Sequence, residues 1–493
     1  MRWAARCPGM ISTLPNVTMP DHGAPEEHAR PRSSRSAGGF ALGALFWIAL
    51  WCVVASIIGN DLLFADPWAV LASLGESVAQ PSFWIAIGNT AARIIGIGAL
   101  SGLCGLILGS LGHRFMLVHQ LFAPLLHVMK SAPVACIVVI VLVMWGAQGA
   151  FATIVAFVAF PPFYVAIQQA LEARPRRTEE ALKLLGVSRW KIFCGCIWPA
   201  ALPFFTSASK TAVALAWRAG ITAELLCLPL GSIGAEVYTS KLTLDSAGLL
   251  AWTITVMLLS WLNERIVLAA LRCSEGLATW ALNGTRAHLP TSSPRSLPAP
   301  TGATPVSLIL EDVHKAYGDT SVLAGFSLGV SLGERICLMA PTGEGKSTAL
   351  GMLARLCTPD AGRAHAPARI GIVMQDPTLL ENLSAFQNVA LAAGKRMSAD
   401  RIRAQLASLI GADALDRAAS ELSGGTKRLT ELVRALLSDG QAIVLDEPFT
   451  GLDPARREAV CAFIKDALDG RPLIVATHDP TDAALLDAAI VRL

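Results

Sequence analysis

Lys346 and Ser347 close the run RICLMAPTGEGKST, in which a short apolar strand passes into a glycine-rich turn. Gly343 and Gly345 let the backbone bend until several N–H groups aim at one anion. Lys346 adds a full positive charge, and Ser347 and Thr348 add hydroxyls. These groups suit the β- and γ-phosphates of a nucleotide, with Mg²⁺ held by Ser347. The helix that follows points its positive end at the same anion. The loop opens on Ala340 rather than glycine, a mild departure because alanine is small.

Further chemistry lies downstream. In ELSGGTKRLTELVRALL, Ser423, Gly424 and Gly425 open a helix, so their N–H and hydroxyl groups can hold a γ-phosphate. The apolar strand AIVLD ends in two carboxylates. Asp446 is placed to hold Mg²⁺ through water, and Glu447 to orient and deprotonate an attacking water. A second apolar strand, LIVAT, ends at His478. Each group alone has a structural reading: an Asp-Glu pair after a strand caps helices, and a single histidine is usually structural.

The elements around these groups divide the chain. Hydrophobic residues make up 53% of it and charged ones only 16%, low for a soluble protein. Six apolar runs of membrane-spanning length predict an all-α membrane domain over residues 37–272: Phe40–Ile58, Phe83–Leu111, Leu121–Trp145, Phe151–Ala170, Phe204–Leu228 and Ala247–Leu271. Pro133 is expected to kink or break the third. Arg30, Arg32, Arg35, Arg114 and the basic segment between the fourth and fifth runs lie on one side, whereas Asn60–Ser82 has no lysine or arginine. This positive-inside pattern puts both chain ends in the cytoplasm. Arg93, Lys130, Arg218 and Glu224 fall inside or beside apolar runs, as pathway groups or as structural partners within the bundle, with interface snorkelling a further reading for Arg93 and Lys130.

Residues 1–36, rich in Pro, Arg and Ser, read as a disordered cytoplasmic tail, with Met10 and Met19 as later possible starts. Residues 273–306 read as a flexible Pro/Ser linker and residues 307–493 as an α/β nucleotide-binding domain. The net charge of +3 gives no argument for nucleic acid, and the eleven cysteines form neither a zinc pattern nor a disulfide framework.

The segment EEALKLLGVSRWKIFCGCIWPAALP, within about 172–200, has Glu180, Ala181 and Gly186 at the spacing of the EAA loop of binding-protein-dependent ATP-binding-cassette importers, and Pro199 at the loop's proline position. Leu182 replaces the second alanine, and Cys196 and Trp198 replace the usual aliphatic pair. With the phosphate loop, the SGG signature and the strand-ending carboxylates in family order, the chain resembles a permease–ATPase fusion of that family. The fifth and sixth runs resemble the nitrate, sulfonate, taurine and bicarbonate branch. The resemblance implies further roles: Tyr317 stacks on adenine, Gln375 reaches the Mg²⁺–water shell while its loop meets the permease, and Thr426 stands where glutamine is usual. Asp453 takes the D-loop position, and His478 contacts the γ-phosphate. Glu180, Ala181 and Gly186 belong to a coupling helix docked on the ATPase.

The short interval from Lys346 to Gln375 implies a trimmed antiparallel subdomain, and an end at Leu493 leaves no room for a C-terminal regulatory domain. The expected protein is an inner-membrane importer of a small solute that uses ATP and Mg²⁺. Its partners are a second copy of itself, an external solute-binding protein, the solute and lipid, but no nucleic acid. A small anion such as a sulfonate, taurine or nitrate is the expected cargo; a thiamine precursor or riboflavin is the alternative. An exporter and a non-hydrolysing ATP-sensing module are the competing classes.

Overall fold

The computed structural model describes residues 37–60, 62–283, 307–318, 320–341, 343–393 and 397–493. The tail through residue 36 and the linker from residue 284 lie outside the described residues.

The first half is helical: α1 (Ala37–Ile58), α2 (Pro67–Val78), α3 (Pro81–Arg114), α4 (Met116–Ser131), α5 (Val134–Glu172), α6 (Arg176–Leu184), α7 (Arg189–Ile192), a π turn at Phe193–Ile197, α8 (Trp198–Cys227), α9 (Ile233–Leu242) and α10 (Ser246–Asn283). Four stretches are long and apolar enough to cross a membrane: Pro81–Arg114, Cys136–Glu172, Arg189–Cys227 and Ser246–Thr279; Leu42–Ile58 is a shorter apolar helix.

The third apolar run is split between two helices, and the boundary between the third and fourth runs stands where the sequence put it. The break at Pro133 is present, with Ala132 held extended at φ −73, ψ 136, as a following proline favours. From Val134 helical backbone runs to Glu172, interrupted at Gly146. At 1.5 Å per residue a straight helix of that length would reach about 58 Å, roughly twice a bilayer core. Gly146, at φ 70 and ψ −177, reverses the chain instead. His119 Nδ1 lies 3.0 Å from Gln168 Nε2, Phe122 stacks on Tyr164, Leu126 packs with Phe160, and Val138 packs with Phe151 and Val155. Partners descend on one arm as they ascend on the other, the signature of an antiparallel hairpin.

Two expectations are corrected. The loop read over Asn60–Ser82 contains α2, started by Pro67 and capped by Asp66 Oδ1, which accepts from Ala69 N at 2.6 Å. The linker read from Cys273 begins later, because α10 continues to Asn283. Its last turns are held by packing: Ala278 and Leu282 are buried against Cys194, Cys196 and Leu380.

Fully buried Trp217 of α8 anchors the membrane core, with Ile94, Phe151, Ile154 and Ala223. Helices approach closely at glycines: a Cβ on Gly105 of α3 would lie 2.9 Å from the Phe160 carbonyl.

The second half is α/β. Antiparallel strands β1 (Leu308–Tyr317), β2 (Thr320–Val330) and β4 (Ala361–His365) form a sheet in the order β2-β1-β4. Strands β3 (Arg335–Met339), β5 (Ile370–Val373), β6 (Ala442–Asp446), β7 (Leu473–Ala476) and β8 (Ala489–Arg492) form a parallel sheet in the order β5-β6-β7-β3-β8. Helices α11 (Lys346–Leu353), α12 (Ala385–Ala393), α13 (Ala399–Ile410), α14 (Gly424–Leu436), α15 (Pro454–Ala467) and α16 (Pro480–Leu486) complete it. Strands β5, β6 and β7 are buried throughout, which explains their uninterrupted apolar sequences.

Candidate nucleotide and coupling site

The candidate catalytic groups gather at the C-terminal ends of the parallel strands, where open α/β sheets bind ligands. The glycine-rich turn follows β3, and Gly343 and Gly345 take φ 93 and φ 99, values that a side chain would oppose. Lys346 is buried; its Nζ donates to the carbonyls of Ala340 and, at 3.1 Å, Pro341. Ser347 and Thr348 continue in the first turn of α11.

Asp446 ends β6, buried and hydrogen-bonded to Ser347. Burial pushes its carboxyl above the ordinary range; the Ser347 hydroxyl opposes this and the Glu447 charge adds to it. Two oxygen groups thus converge on one spot, as a hard cation requires. Glu447 has φ 47, a conformation costing a non-glycine residue roughly 1–2 kcal/mol. Its N–H donates to the Ala476 carbonyl at 3.0 Å, tying it to β7.

Glu447 also lines two cavities. One, about 380 Å³, is shared with Gln375, Asp376, Gly424, Arg428 and Thr450. The other, about 210 Å³, is shared with Thr450, Thr477, His478 and Asp479. The structure therefore brings Glu447, Gln375 and Gly424 to one opening and Glu447 and His478 to the next. Asp453 caps α15, its Oδ1 accepting from Arg456 N at 2.9 Å. Tyr317 stands half exposed at the end of β1, with Lys315 Nζ 5.7 Å from its ring centre.

Ser423 caps α14, accepting from Thr426 N at 3.3 Å, and its hydroxyl lies 2.8 Å from Thr426 Oγ1. A Cβ added to Gly424 or Gly425 would meet nothing within 4 Å. Packing within the chain does not require glycine at either position.

The segment around α6 packs on the ATPase of its own chain. Ala181 and Leu184 of α6 share a core with Leu308, Met352 and Ile370, while Leu182 and Leu185 pack on Leu380 and Leu383. Arg177 pairs with Asp376, the neighbour of Gln375. Gly186, at φ 80, turns the chain beside Arg369; a Cβ there would lie 3.1 Å from Arg369 Cδ. Ala181 is buried, but Glu180 faces outward.

Several groups escaped the sequence reading. Glu179, not Glu180, is the buried acid of α6. It binds Arg174 through two contacts at 2.6 and 2.7 Å and Lys183 at 2.6 Å. Burial raises its carboxyl, but those cations outweigh burial and leave it below the usual range. The Glu179–Lys183 spacing was the available signal.

Arg428 is likewise buried. It donates to the carbonyls of Met374 and Asp446, and to that of Glu447 at 2.9 Å. Glu431 lies 3.6 Å from both Arg428 and Arg434 and accepts from Thr378. Charged residues three apart on the apolar face of α14 were the overlooked clue.

Glu224 resolves as a structural partner. It accepts from Thr90 Oγ1 at 2.9 and 3.0 Å and from Gly234 N at 3.1 Å, and Arg93 lies 3.9 Å away.

Residues 323–450 match the family model described as ABC transporter, and residues 101–267 match the one described as binding-protein-dependent transport system inner membrane component. The aliphatic sulfonates import ATP-binding protein SsuB 3 of Rhodococcus jostii is 32% identical over 213 residues, covering 42% of this chain and 80% of that protein. This chain belongs to the ATP-binding-cassette transporter family. The aliphatic sulfonates import ATP-binding protein SsuB of Granulibacter bethesdensis is 34% identical over 192 residues, covering 38% of this chain and 80% of that protein. The Nod factor export ATP-binding protein I of Burkholderia orbicola is 39% identical, covering 36% of this chain and 64% of that protein. This family member joins an importer-type permease and an ATP-binding ATPase in one multi-pass inner-membrane chain, with the ATPase in the cytoplasm.

Proposed function

We propose that the protein works as a homodimer that imports a small anionic solute, delivered by an external binding protein, through a permease of six crossings per chain. The observation that carries this reading is the docking of α6 beside the Gln375 loop, with Arg177 on Asp376. A helix held between a membrane helix and the loop over the nucleotide can carry displacement both ways.

One ATP lies between Lys346 and Ser347 of one copy and Ser423, Gly424 and Gly425 of the other. The open space at the two glycines supports close approach of a phosphate from the partner. Mg²⁺, held by Ser347 and Asp446 with Gln375 at its water shell, would neutralise the phosphates. Glu447 takes the proton of the attacking water, and His478 and Thr348 face the γ-phosphate. Tyr317 stacks on the base, and Asp453 sits at the dimer seam. ATP favours the closed pair of ATPases and hydrolysis releases it. Transport follows because outward- and inward-facing permease states bind ATP unequally.

The import-type permease match supports import over export, although several of the similar ATPases are named for Nod factor export. Three relatives named for aliphatic sulfonates support a sulfonate, with taurine or nitrate close in chemistry. A thiamine precursor or riboflavin is the alternative cargo. The catalytic-type groups Glu447 and His478 favour a hydrolysing transporter over a sensor. The test is uptake of labelled butanesulfonate into vesicles carrying the full chain and its cognate binding protein. ATP-dependent accumulation supports the reading; solute-independent ATPase without accumulation refutes it.

A further inference from the structure

Between the hairpin and α8 lies a cavity of about 640 Å³, a volume typical of small-molecule sites. Its walls are mostly apolar, including Val158, Pro161, Pro162 and Phe204, and Lys130 supplies a cation. Ser207 and Thr211 add hydroxyls, and Gln169 adds an amide.

Depth makes the cation unusual. Lys130 lines the same cavity as Val158, in the middle of the second hairpin arm. The adjoining face of α8 carries two more cations, Lys210 and Arg218, which the spacing of Ser207, Thr211 and Leu215 puts on one exposed stripe. Lys210 lies about 18 Å along α8 from Trp198, at 1.5 Å per residue. Arg93 has Glu224 beside it, but Lys130, Lys210 and Arg218 have no ion-pair partner among the described residues. Unpaired cations at mid-bilayer depth face a water-filled path or a ligand, not lipid tails.

We propose that this cavity is a solute-binding site of the permease. Lys130, with Lys210 alongside, attracts the anionic head of the solute, Ser207 donates to it, Thr211 borders it with its hydroxyl donated to the Ser207 carbonyl at 3.2 Å, and Pro161, Pro162 and Phe204 cover a short apolar tail. The proposal rests on the reading of the protein as an importer of small anions and names where the anion sits.

The test puts a reporter at the site in the full-length chain. Thr211→Cys, in sealed inside-out vesicles, is exposed to anionic and cationic methanethiosulfonate reagents, and modification at residue 211 is read by mass spectrometry. Relative to their rates with a free thiol in solution, the anionic reagent is expected to react faster by on the order of tenfold. Butanesulfonate slows that reaction. Adding Lys130→Met removes the preference and Lys130→Arg restores it, which separates charge from folding. Equal rates, no modification by either reagent, or no protection by butanesulfonate would overturn the proposal. Modification in neutral-lipid vesicles that anionic lipid abolishes would also overturn it, because the occupant is then a lipid headgroup. Protection without uptake leaves the site standing and removes the import of sulfonate; uptake without protection does the reverse.

Discussion

The guanidinium of Arg428 donates to the backbone carbonyl of Glu447 at 2.9 Å, from the same nitrogen that serves Asp446. Its other terminal nitrogen serves Met374, with the Gln375 carbonyl 3.5 Å away. One side chain thus fastens the loop that meets α6 to the backbone of the candidate catalytic base. Burial lowers the basicity of Arg428 and Glu431 restores part of it, so the fastening remains charged at physiological pH. Arg428→Met leaves buried carbonyls without a donor, a loss of about 1–3 kcal/mol. The expected result is a turnover lower by roughly ten- to a hundredfold with ATP affinity nearly unchanged. Arg428→Lys recovers only part. Steady-state ATPase and nucleotide-binding measurements on the full chain check both.

Glu447 is strained at φ 47 and faces two cavities. Glu447→Gln keeps the shape and removes the base. Turnover is expected to fall by roughly a hundredfold or more, while bound ATP accumulates. Single-turnover hydrolysis measures the first and filter binding the second; unchanged turnover would remove Glu447 from its role.

The composite site is open to a genetic test. Lys346→Ala and Ser423→Arg each disable both sites of a homodimer. Co-expressed, they form heterodimers with one intact site, so mixed preparations are expected to regain ATPase that neither single variant shows. Failure to complement in purified heterodimers argues against ATP shared between two copies.

Asp446 gives a prediction about stability. Its carboxyl is raised by burial, so the charged form is disfavoured in the folded protein, and the penalty grows as pH rises from the unfolded value through the raised one. At neutral pH, without nucleotide or metal, Asp446→Asn is therefore expected to melt above the wild type. Mg²⁺–ATP should stabilise the wild type much more than the variant. Thermal unfolding with and without Mg²⁺–ATP checks both, and a variant that melts lower in the apo state contradicts the account.

Gly186→Val puts a β-branched residue at φ 80 against Arg369. Uptake is expected to be lost while ATP binding persists and stimulation by loaded binding protein disappears. Vesicle uptake beside ATPase rate is the measurement, and unchanged uptake would move the coupling contact elsewhere.

The sequence made the ATPase legible because its chemistry is local. The turn after β3, the carboxylates ending β6 and the cap of α14 each depend on a few consecutive residues. The membrane half hid more. The reversal at Gly146 falls between the third and fourth apolar runs, where the sequence put it, but the division of the third run into two helices at Pro133 depends on one residue inside an otherwise apolar stretch. Asn60–Ser82 lacks the strong apolar period that marks a helix, although Asp66-Pro67 is a start signal. The Pro- and Ser-rich composition beyond Leu289 drew the expected linker back over the end of α10, whose last turns are fixed by contact with Leu380, a residue remote in sequence. Arg428 and Glu431 were overlooked for the same reason: their partners sit on the Gln375 loop and β6.

Docking of α6 on the ATPase of its own chain has a consequence for how firm that contact needs to be. Separate subunits must find each other from solution, and their interface has to supply the whole affinity. Here the two surfaces share one polypeptide, and intramolecular tethering of this kind gives effective concentrations that reach the millimolar range. The polar part of the contact, Arg177 with Asp376, can then stay solvent-open, with side chains 70% and 59% exposed, beside the buried contacts of Ala181, Leu182, Leu184 and Leu185. The seam can loosen and re-form in every cycle without the partners drifting apart.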